Sequence, residues 1–515
     1  MTWQNSAITI TTLLPIVGAL AILLVPKENE RLVRGLGVAV TAACLALSIA
    51  IAATYDYSAG GLQFELNVRW IPVIGARYHV GIDGISLPLY LLTFLLGFLC
   101  AIYTWRYVPE PGRTKAFIAL TLLLITGMAG TFIAFDLILF FVFWELVLVP
   151  MYFLIGIWGS ANRQYASIKF FLYTLFGSVF MLLGFLALYF NGPLVDGKHT
   201  FDLTAITAFG AGGGYTHAFQ LVVFGAIALG FAVKVPMWPF HTWLPDAHTE
   251  APTIGSVLLA GIMLKMGTYG FIRIALPVLP KGAVAYAPWI GALAAIAIVY
   301  AALACLAQKD LKRLIAFSSV GHMGFVMLGI ATLTTIGIQA AIFGMVAHGV
   351  ITGMLFFCVG SIYDRYHTRQ IAEIGGGMSQ TMPKMAGIFA FVAIASLGLP
   401  GLAGFWGEVM ALLGSFSPNT SSIAGLNVGL FRTFMVVGGI GTILTAGYFL
   451  WMLQRVNQGI APERWAGSAF RDILSVEWVS WTPLLILILV LGLIPSIILN
   501  VTESGANAIA RIFGA

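Results

Sequence analysis

Residues 253–273 read TIGSVLLAGIMLKMGTYGFIR. Twenty-one residues in a row carry no Asp or Glu and only two charges, Lys265 in the middle and Arg273 at the end. A hydrocarbon core about 30 Å thick takes roughly 20 apolar residues per helix, so this run has the length and character of a membrane span. Its lysine is too central to reach either interface comfortably. The whole 515-residue chain reads the same way: 60% of it is apolar, 9% is charged, and its mean hydropathy is +0.96. A soluble domain carries about 25% charged residues. In lipid every backbone polar group must be satisfied within the protein, which leaves helix bundles and closed barrels. Barrel strands alternate polar and apolar residues; here the apolar runs are unbroken. The expected fold is all-α and polytopic.

Fourteen apolar segments are expected to span, at about 5–25, 33–54, 86–105, 115–134, 137–157, 166–190, 217–237, 253–275, 286–306, 312–332, 335–362, 385–413, 430–454 and 478–500. The joints near Asp136, between Lys234 and Pro239, and near Thr334 are the least sharply marked. Sorting Lys and Arg into alternate loops puts seventeen on one side and seven on the other, leaving Lys234 and Lys265 out of 26. A miscounted span in mid-chain would scramble that asymmetry, and the positive-inside rule then places both termini outside. No basic residue precedes the first apolar run, Ala7 to Val25, so it is expected to be a retained span rather than a signal peptide. The net charge of +6 follows from basic loops and does not indicate nucleic acid. Cys44, Cys100, Cys305 and Cys358 are far apart in apolar surroundings and read as core residues. Gly210–Gly214 lacks the strand and helix of a phosphate-binding loop, and the chain has no Walker A pattern.

A charge near the centre of a span costs about 2.5–3.5 kcal/mol, so four of them cost on the order of 10 kcal/mol unless paired or hydrated. They are Glu145, Lys234, Lys265 and Glu408, accompanied by His322 and His348. Glu145, in FVFWELVLVPMYFLIG, lies about 12 Å into its span at 1.5 Å per residue. Lys234 adjoins Pro236 and Pro239, and Glu408 follows the interrupted run SLGLPGLAGFWGEVM. Broken helices are where transporters place their sites. Desolvation disfavours the charged form of buried carboxyl and amine groups, which brings proton exchange within reach of both. His322 and His348, in SSVGHMG and MVAHGV, suit a hydrated path between them. The stretch PFHTWLPDAHTEAPT holds His241, Asp246, His248 and Glu250; in a short amphipathic segment with two prolines these suggest a polar connection, with His241 on the path, rather than a metal site.

FWELVLVPMYFLIGIWG, VKVPMWPFHTWLPDAHTEAPT with Lys265 after it, LKRLIAFSSVGHMG and GFWGE resemble the antiporter-like membrane subunits of respiratory NADH:quinone oxidoreductase, complex I. The resemblance covers nearly the whole chain. It implies fourteen helices with two inverted five-helix units containing Pro-broken helices, here residues 115–275 and 286–455, flanked by 1–114 and 456–515. It also implies proton translocation through Glu145, Lys234, Lys265 and Glu408, with an ion pair between Glu145 and Lys234 whose making and breaking drives Lys265. His322 and His348 would join Lys265 to Glu408. No redox cofactor would sit on this chain; flavin and Fe–S clusters would belong to partner subunits. The partners would be the other membrane subunits, the lipid bilayer and protons, in a bacterial inner membrane with both termini periplasmic. Among the three subunits of this plan, a carboxylate in the twelfth span and the absence of a long lateral helix point to one. The competing readings are a subunit of a Na⁺/H⁺ antiporter complex, a hydrogenase-linked membrane subunit, and a passive scaffold; sodium would require clustered oxygen ligands that two separated carboxylates do not supply.

Overall fold

The computed structural model describes all residues except 1, 2, 106, 466 and 469; Arg106, counted above among the basic loop residues, lies outside it. Thirteen described helices are long and apolar enough to cross a membrane: Trp3–Leu24, Glu30–Thr54, Ser86–Thr104, Thr114–Ile133, Leu137–Trp158, Arg163–Asn191, His217–Lys234, Thr253–Val278, Pro280–Leu306, Leu311–Ala331, Thr335–Tyr366, Val428–Val456 and Ser475–Leu493. Between the eleventh and the last two, a broken helix of two halves, Pro383–Ser396 and Ala403–Phe416, completes the expected fourteen. The seventh span also breaks. It stops at Lys234, and after a turn through Pro236 and Pro239 the chain resumes as the short helix Trp243–Glu250.

Close approach of spans rests on small residues, since lipid offers no hydrophobic drive between helices. A Cβ on Gly407 of the twelfth span would stand 2.7 Å from the Cα of Gly344 in the eleventh, and one on Gly349 would stand 2.7 Å from the carbonyl oxygen of Gly261 in the eighth. The eighth and eleventh spans are accordingly the most enclosed, and Lys265 and His348 lie on them. Part-buried ion pairs fasten the two ends of the bundle. On the face with few basic residues, Arg273 at the end of the eighth span reaches both oxygens of Asp83, at 2.6 and 2.5 Å. On the Lys- and Arg-rich face, Arg365 grips Glu477 with two bonds of 2.8 and 2.7 Å, joining the eleventh span to the fourteenth.

Two larger elements among the described residues lie outside the expected fourteen spans. β1 (Gln63–Ile71) and β2 (Ala76–Ile82) form an antiparallel hairpin where only a loop was expected. After the fourteenth span, Ser496–Ile512 forms a further helix, from which Asn507 accepts a hydrogen bond from Thr335 Oγ1 at 2.9 Å. Both lie on the face with few basic residues, where a Cβ on Gly84 would stand 2.0 Å from the Val501 carbonyl oxygen. Neither has a long apolar run, so an argument from apolar length passes over them.

The hairpin is latched by His79, whose Nδ1 is 2.7 Å from Asp202 and whose Nε2 is 2.9 Å from Glu65. Burial opposes the imidazolium, but bonding and charge from Asp202 and Glu65 outweigh it and raise His79 above the usual histidine value. Burial also opposes the Asp202 carboxylate, and bonds from His79 and Thr204 outweigh it and pull Asp202 down to about 2. A raised histidine stabilises the fold at acidic pH, and this contribution disappears as pH rises through its folded value. Amide exchange of residues 63–82, corrected for its intrinsic pH dependence, is therefore expected to be faster at a pH well above the usual histidine value of about 6.5 than at one below it in the wild type, and to lose that dependence in His79→Gln. Equal protection of the wild-type hairpin at both pH values would show that His79 is not the latch.

Candidate functional site

The eighth span is not a regular α-helix. Segments Leu259–Met263 and Phe271–Ala275 are wound as π-helix on either side of Lys265. Such wide turns shift the carbonyl ladder and recur at functional sites. The Lys265 Nζ donates to the carbonyl of Ala260, five residues back. It also lies 2.6 Å from His348 Nδ1 on the eleventh span. An ammonium donating there leaves the proton of neutral His348 on Nε2, which is buried and has no partner. Lys265 itself is fully enclosed.

From His348 the row continues. The His322 and His348 rings are 5.6 Å apart, centre to centre. Both border a cavity of about 30 Å³ that Thr352, Ser396 and Glu408 also line. That volume is the share of one water molecule in the liquid, and the polar lining supplies its partners. His322 Nδ1 is 2.9 Å from Glu408 Oε1, and its Nε2 is 3.0 Å from Ser396 Oγ. The other carboxylate oxygen, Oε2, is buried without a partner. It faces Gly398, where φ is +83° and an added Cβ would stand 3.1 Å away, so the break in the twelfth span makes room for the acid. Lys265, His348, His322 and Glu408 thus form a continuous polar row across the eighth, eleventh, tenth and twelfth spans.

The other two charges are close in space but unpaired. Lys234, at the end of the interrupted seventh span, is only 2% exposed, and its Nζ lies 5.1 Å from the centre of the Trp144 ring. Trp144 is itself pinned by a 2.9 Å bond from Nε1 to Ser178 Oγ. Glu145 is next in the chain, with Oε1 buried and without a hydrogen-bond partner. The fifth span changes course just beyond it, between Leu137–Leu146 and Leu148–Trp158. The expected Glu145–Lys234 ion pair is not formed in this conformation. The face of Trp144 holds the ammonium instead, a cation–π contact that uses the ring's negative quadrupole.

His241 is buried in the turn after Lys234, packed on Tyr300 with ring centres 5.0 Å apart, and its Nδ1 has no partner. No hydrogen bond or ion pair ties it to the Lys265–Glu408 row. Three further groups complete the surroundings of that row: Ser396 and Lys312, which the sequence reading passes over, and His248, which it names only as part of a polar connection. Ser396 completes the His322 pair. His248 is fully buried in Trp243–Glu250, stacked on Phe356 at 4.5 Å, with both ring nitrogens unpartnered. Lys312, counted above as a loop residue, is buried and donates to the carbonyl of Ala251. The second histidine of PFHTWLPDAHTEAPT was the available signal for His248; Lys312 had none, because a lysine at the start of a span reads as an interfacial one.

Fold and row together define a class: a multi-span helical membrane protein with two broken spans and a buried row of Glu, Lys and His, built like a transporter. Residues 134–435 match the family model described as NADH:quinone oxidoreductase/Mrp antiporter, TM. The chain is 41% identical over 516 residues to the NADH-quinone oxidoreductase subunit M of Rickettsia bellii, covering 98% of this chain and 99% of that one. Among solved structures it resembles a chain of respiratory complex I from Thermus thermophilus with bound NADH, with a TM-score of 0.86 and 29% identity over 99% of this chain and 100% of that chain. A chain of the Mrp complex from Dietzia sp. has the same fold, with a TM-score of 0.82 at 21% identity over 99% of each chain. The chain belongs to the NADH:quinone oxidoreductase/Mrp antiporter transmembrane family.

The contact between Gly407 and Gly344 sets the reach from Glu408 to His322. Gly407→Ala is expected to force the eleventh and twelfth spans apart, at a cost of about 1–3 kcal/mol. Proton translocation should fall as it does in Glu408→Ala, whereas Gly439→Ala, with open space around it, should match the wild type. Native-gel assembly and acid-pulse measurements on membranes check this; wild-type pumping by Gly407→Ala would show that the spacing is slack.

Proposed function

We propose that this chain is the M-type, or chain 4, antiporter-like membrane subunit of a respiratory NADH:quinone oxidoreductase, and that it carries protons through Glu145, Lys234, Lys265 and Glu408 while the redox chemistry takes place elsewhere. The observation that carries the reading is the row of buried polar groups from Lys265 through His348 and His322 to Glu408, with a small cavity bordering the two histidines. A passive scaffold would have no reason to bear the cost of ionisable groups at this depth. The carboxylate at position 408, where related subunits usually carry lysine, favours the M type. Residues 115–275 and 286–455 are the two channel units, the first holding Glu145, Lys234 and Lys265 and the second His322, His348 and Glu408.

The electrostatics are simple. With Lys234 held on Trp144 and Glu145 apart from it, the Lys234 charge repels a proton on Lys265. Bringing the Glu145 carboxylate to Lys234 cancels that repulsion, and Lys265 fills. Separating the pair ejects the proton through His348 and the cavity water to His322 and Glu408, each N–H or O–H bond broken being replaced by one formed further along. Quinone reduction in partner subunits supplies the driving force. Flavin and Fe–S clusters belong to those partners. The site is a bacterial inner membrane, with the Lys- and Arg-rich loops cytoplasmic and both termini periplasmic.

The test is NADH-driven quinone reduction and proton translocation measured together in membranes carrying Glu145→Gln or Lys265→Ala, with assembly checked on native gels. Assembled complexes should lose most of their pumping, by about ten-fold or more. Wild-type pumping and NADH oxidation in Lys265→Ala would overturn the assignment and make sodium-dependent antiport the next assay.

A further inference from the structure

Lys234 rests on Trp144, although a carboxylate, Glu145, adjoins that residue in the chain. In a medium of low dielectric an ammonium gains more from a carboxylate than from a ring face, so the unpaired state has to be held open. The sixth span supplies the means. It meets the seventh in backbone contact one turn before Lys234: a Cβ on Gly230 would stand 2.7 Å from the Gly177 carbonyl oxygen, and one on Gly177 would stand 3.0 Å from the Val233 side chain. This contact brings Ser178, buried and next to Gly177, to the point where the fifth, sixth and seventh spans come together.

The Ser178 hydroxyl is used twice. Its oxygen accepts the Trp144 indole N–H at 2.9 Å, and its proton goes to the Thr174 carbonyl, one turn back, at 3.0 Å. Phe140 and Phe231 pack on the indole with ring centres 5.7 and 5.6 Å away, which limits its tilt. The bond to Ser178 fixes which way the N–H points, and with it the part of the ring offered to the ammonium. Lys234 is held from its own side too, since Trp243 donates to the Val233 carbonyl at 2.9 Å and fastens the end of the broken helix. The Glu145 carboxyl is near enough for the same Ser178 hydroxyl to act on it. A hydroxyl has one proton and two lone pairs, so Ser178 can keep the indole bond while its proton turns from the Thr174 carbonyl to a Glu145 carboxylate.

We propose that Ser178 is the positioning residue that holds Glu145 and Lys234 apart, fixing Trp144 as the seat of the ammonium and offering its hydroxyl proton to the carboxylate left without a partner. The inference rests on the proposed role of the Glu145–Lys234 pair. When the pair forms, the Ser178 proton returns to Thr174, and no covalent bond changes. Without the hydroxyl the indole N–H is left buried and unpartnered, the seat loosens, and the pair stays closed. Lys265 then fills and is slow to empty.

The experiment measures NADH-driven quinone reduction and proton translocation together in membranes containing the assembled complex, with assembly checked on native gels. Ser178→Ala is expected to slow translocation about five-fold, the worth of one net hydrogen bond. Ser178→Thr and Ser178→Val separate the hydroxyl from bulk, since the two side chains have nearly the same shape and differ in the hydroxyl: the first should pump near the wild-type rate and the second like Ser178→Ala. Trp144→Phe keeps an aromatic face and removes the N–H, so it should also slow translocation, and adding Ser178→Ala to it should cost little more. Equal pumping by Ser178→Thr and Ser178→Val, or full additivity of Ser178→Ala and Trp144→Phe, would overturn the proposal. Should Ser178→Ala or Ser178→Val fail to assemble, Trp144→Phe, which leaves the sixth span untouched, decides: translocation at the wild-type rate overturns the proposal as well. Glu145→Gln serves as reference. If it loses pumping while Ser178→Ala pumps like the wild type, the positioning role is wrong and the role of the pair stands; if Glu145→Gln also pumps normally, the assignment of the pair itself fails.

Discussion

An ammonium group in the middle of a membrane has to be solvated by the protein that put it there. At Lys265 the solvent consists of one backbone carbonyl and one imidazole, those of Ala260 and His348. The Ala260 carbonyl lies within the π-wound turn Leu259–Met263 and within reach of the Lys265 Nζ. The irregular winding of the eighth span is thus tied to the charge it carries. Its location at the most buried part of the bundle fits the rule that irregular backbone at membrane depth is tolerated only inside protein.

Much of the packing follows from this demand. For His348 to meet Lys265, the eighth and eleventh spans must come into backbone contact, which Gly261 and Gly349 permit. For Glu408 to meet His322, the twelfth span must lie against the eleventh at Gly407 and Gly344, and its helix must open at Gly398 to seat the carboxylate. The ion pairs Arg273–Asp83 and Arg365–Glu477 then fasten the ends of the eighth and eleventh spans to their neighbours. Removing one partner of such a part-buried pair leaves the other charged without its counterion. The relay is therefore set in a frame held at both faces, while the groups inside it are only partly satisfied: His348 Nε2, Glu408 Oε2 and Glu145 Oε1 all lack partners. Unfilled hydrogen-bonding capacity is a structural liability in a core. In a proton path it leaves positions for water and for the proton itself.

The spans were legible in the sequence because a hydrocarbon core demands length and apolarity together, and residues 5–25 through 478–500 show both. The intramembrane charges were legible for the complementary reason, since each is conspicuous by its cost. What single residues do not disclose is partnership. Glu145 and Lys234 are near in space, yet the ammonium rests on Trp144, a neighbour whose ring is positioned by Ser178 from another span. Lys312 escaped notice because it sits at a span boundary, where a lysine ordinarily meets water, and His248 was legible only as one of several polar groups in an amphipathic stretch. The hairpin at Gln63–Ile82 and the helix Ser496–Ile512 depend on pairing with the rest of the chain, as the bridge from Val80 to Ala134 and the bond between Asn507 and Thr335 show.

The unpaired state of Glu145 and Lys234 bears on direction. The cation–π contact leaves the Lys234 ammonium without a neutralising carboxylate, whereas a salt bridge would cancel most of its field within a few ångströms. Trp144 thus provides a resting place for the ammonium that differs electrically from the carboxylate next to it in sequence. A small movement between two neighbouring side chains then suffices to alter the potential at Lys265, with no rearrangement of the frame. On the proposed function, that arrangement would let a change at Lys234 be felt in a tightly packed bundle without unpacking it.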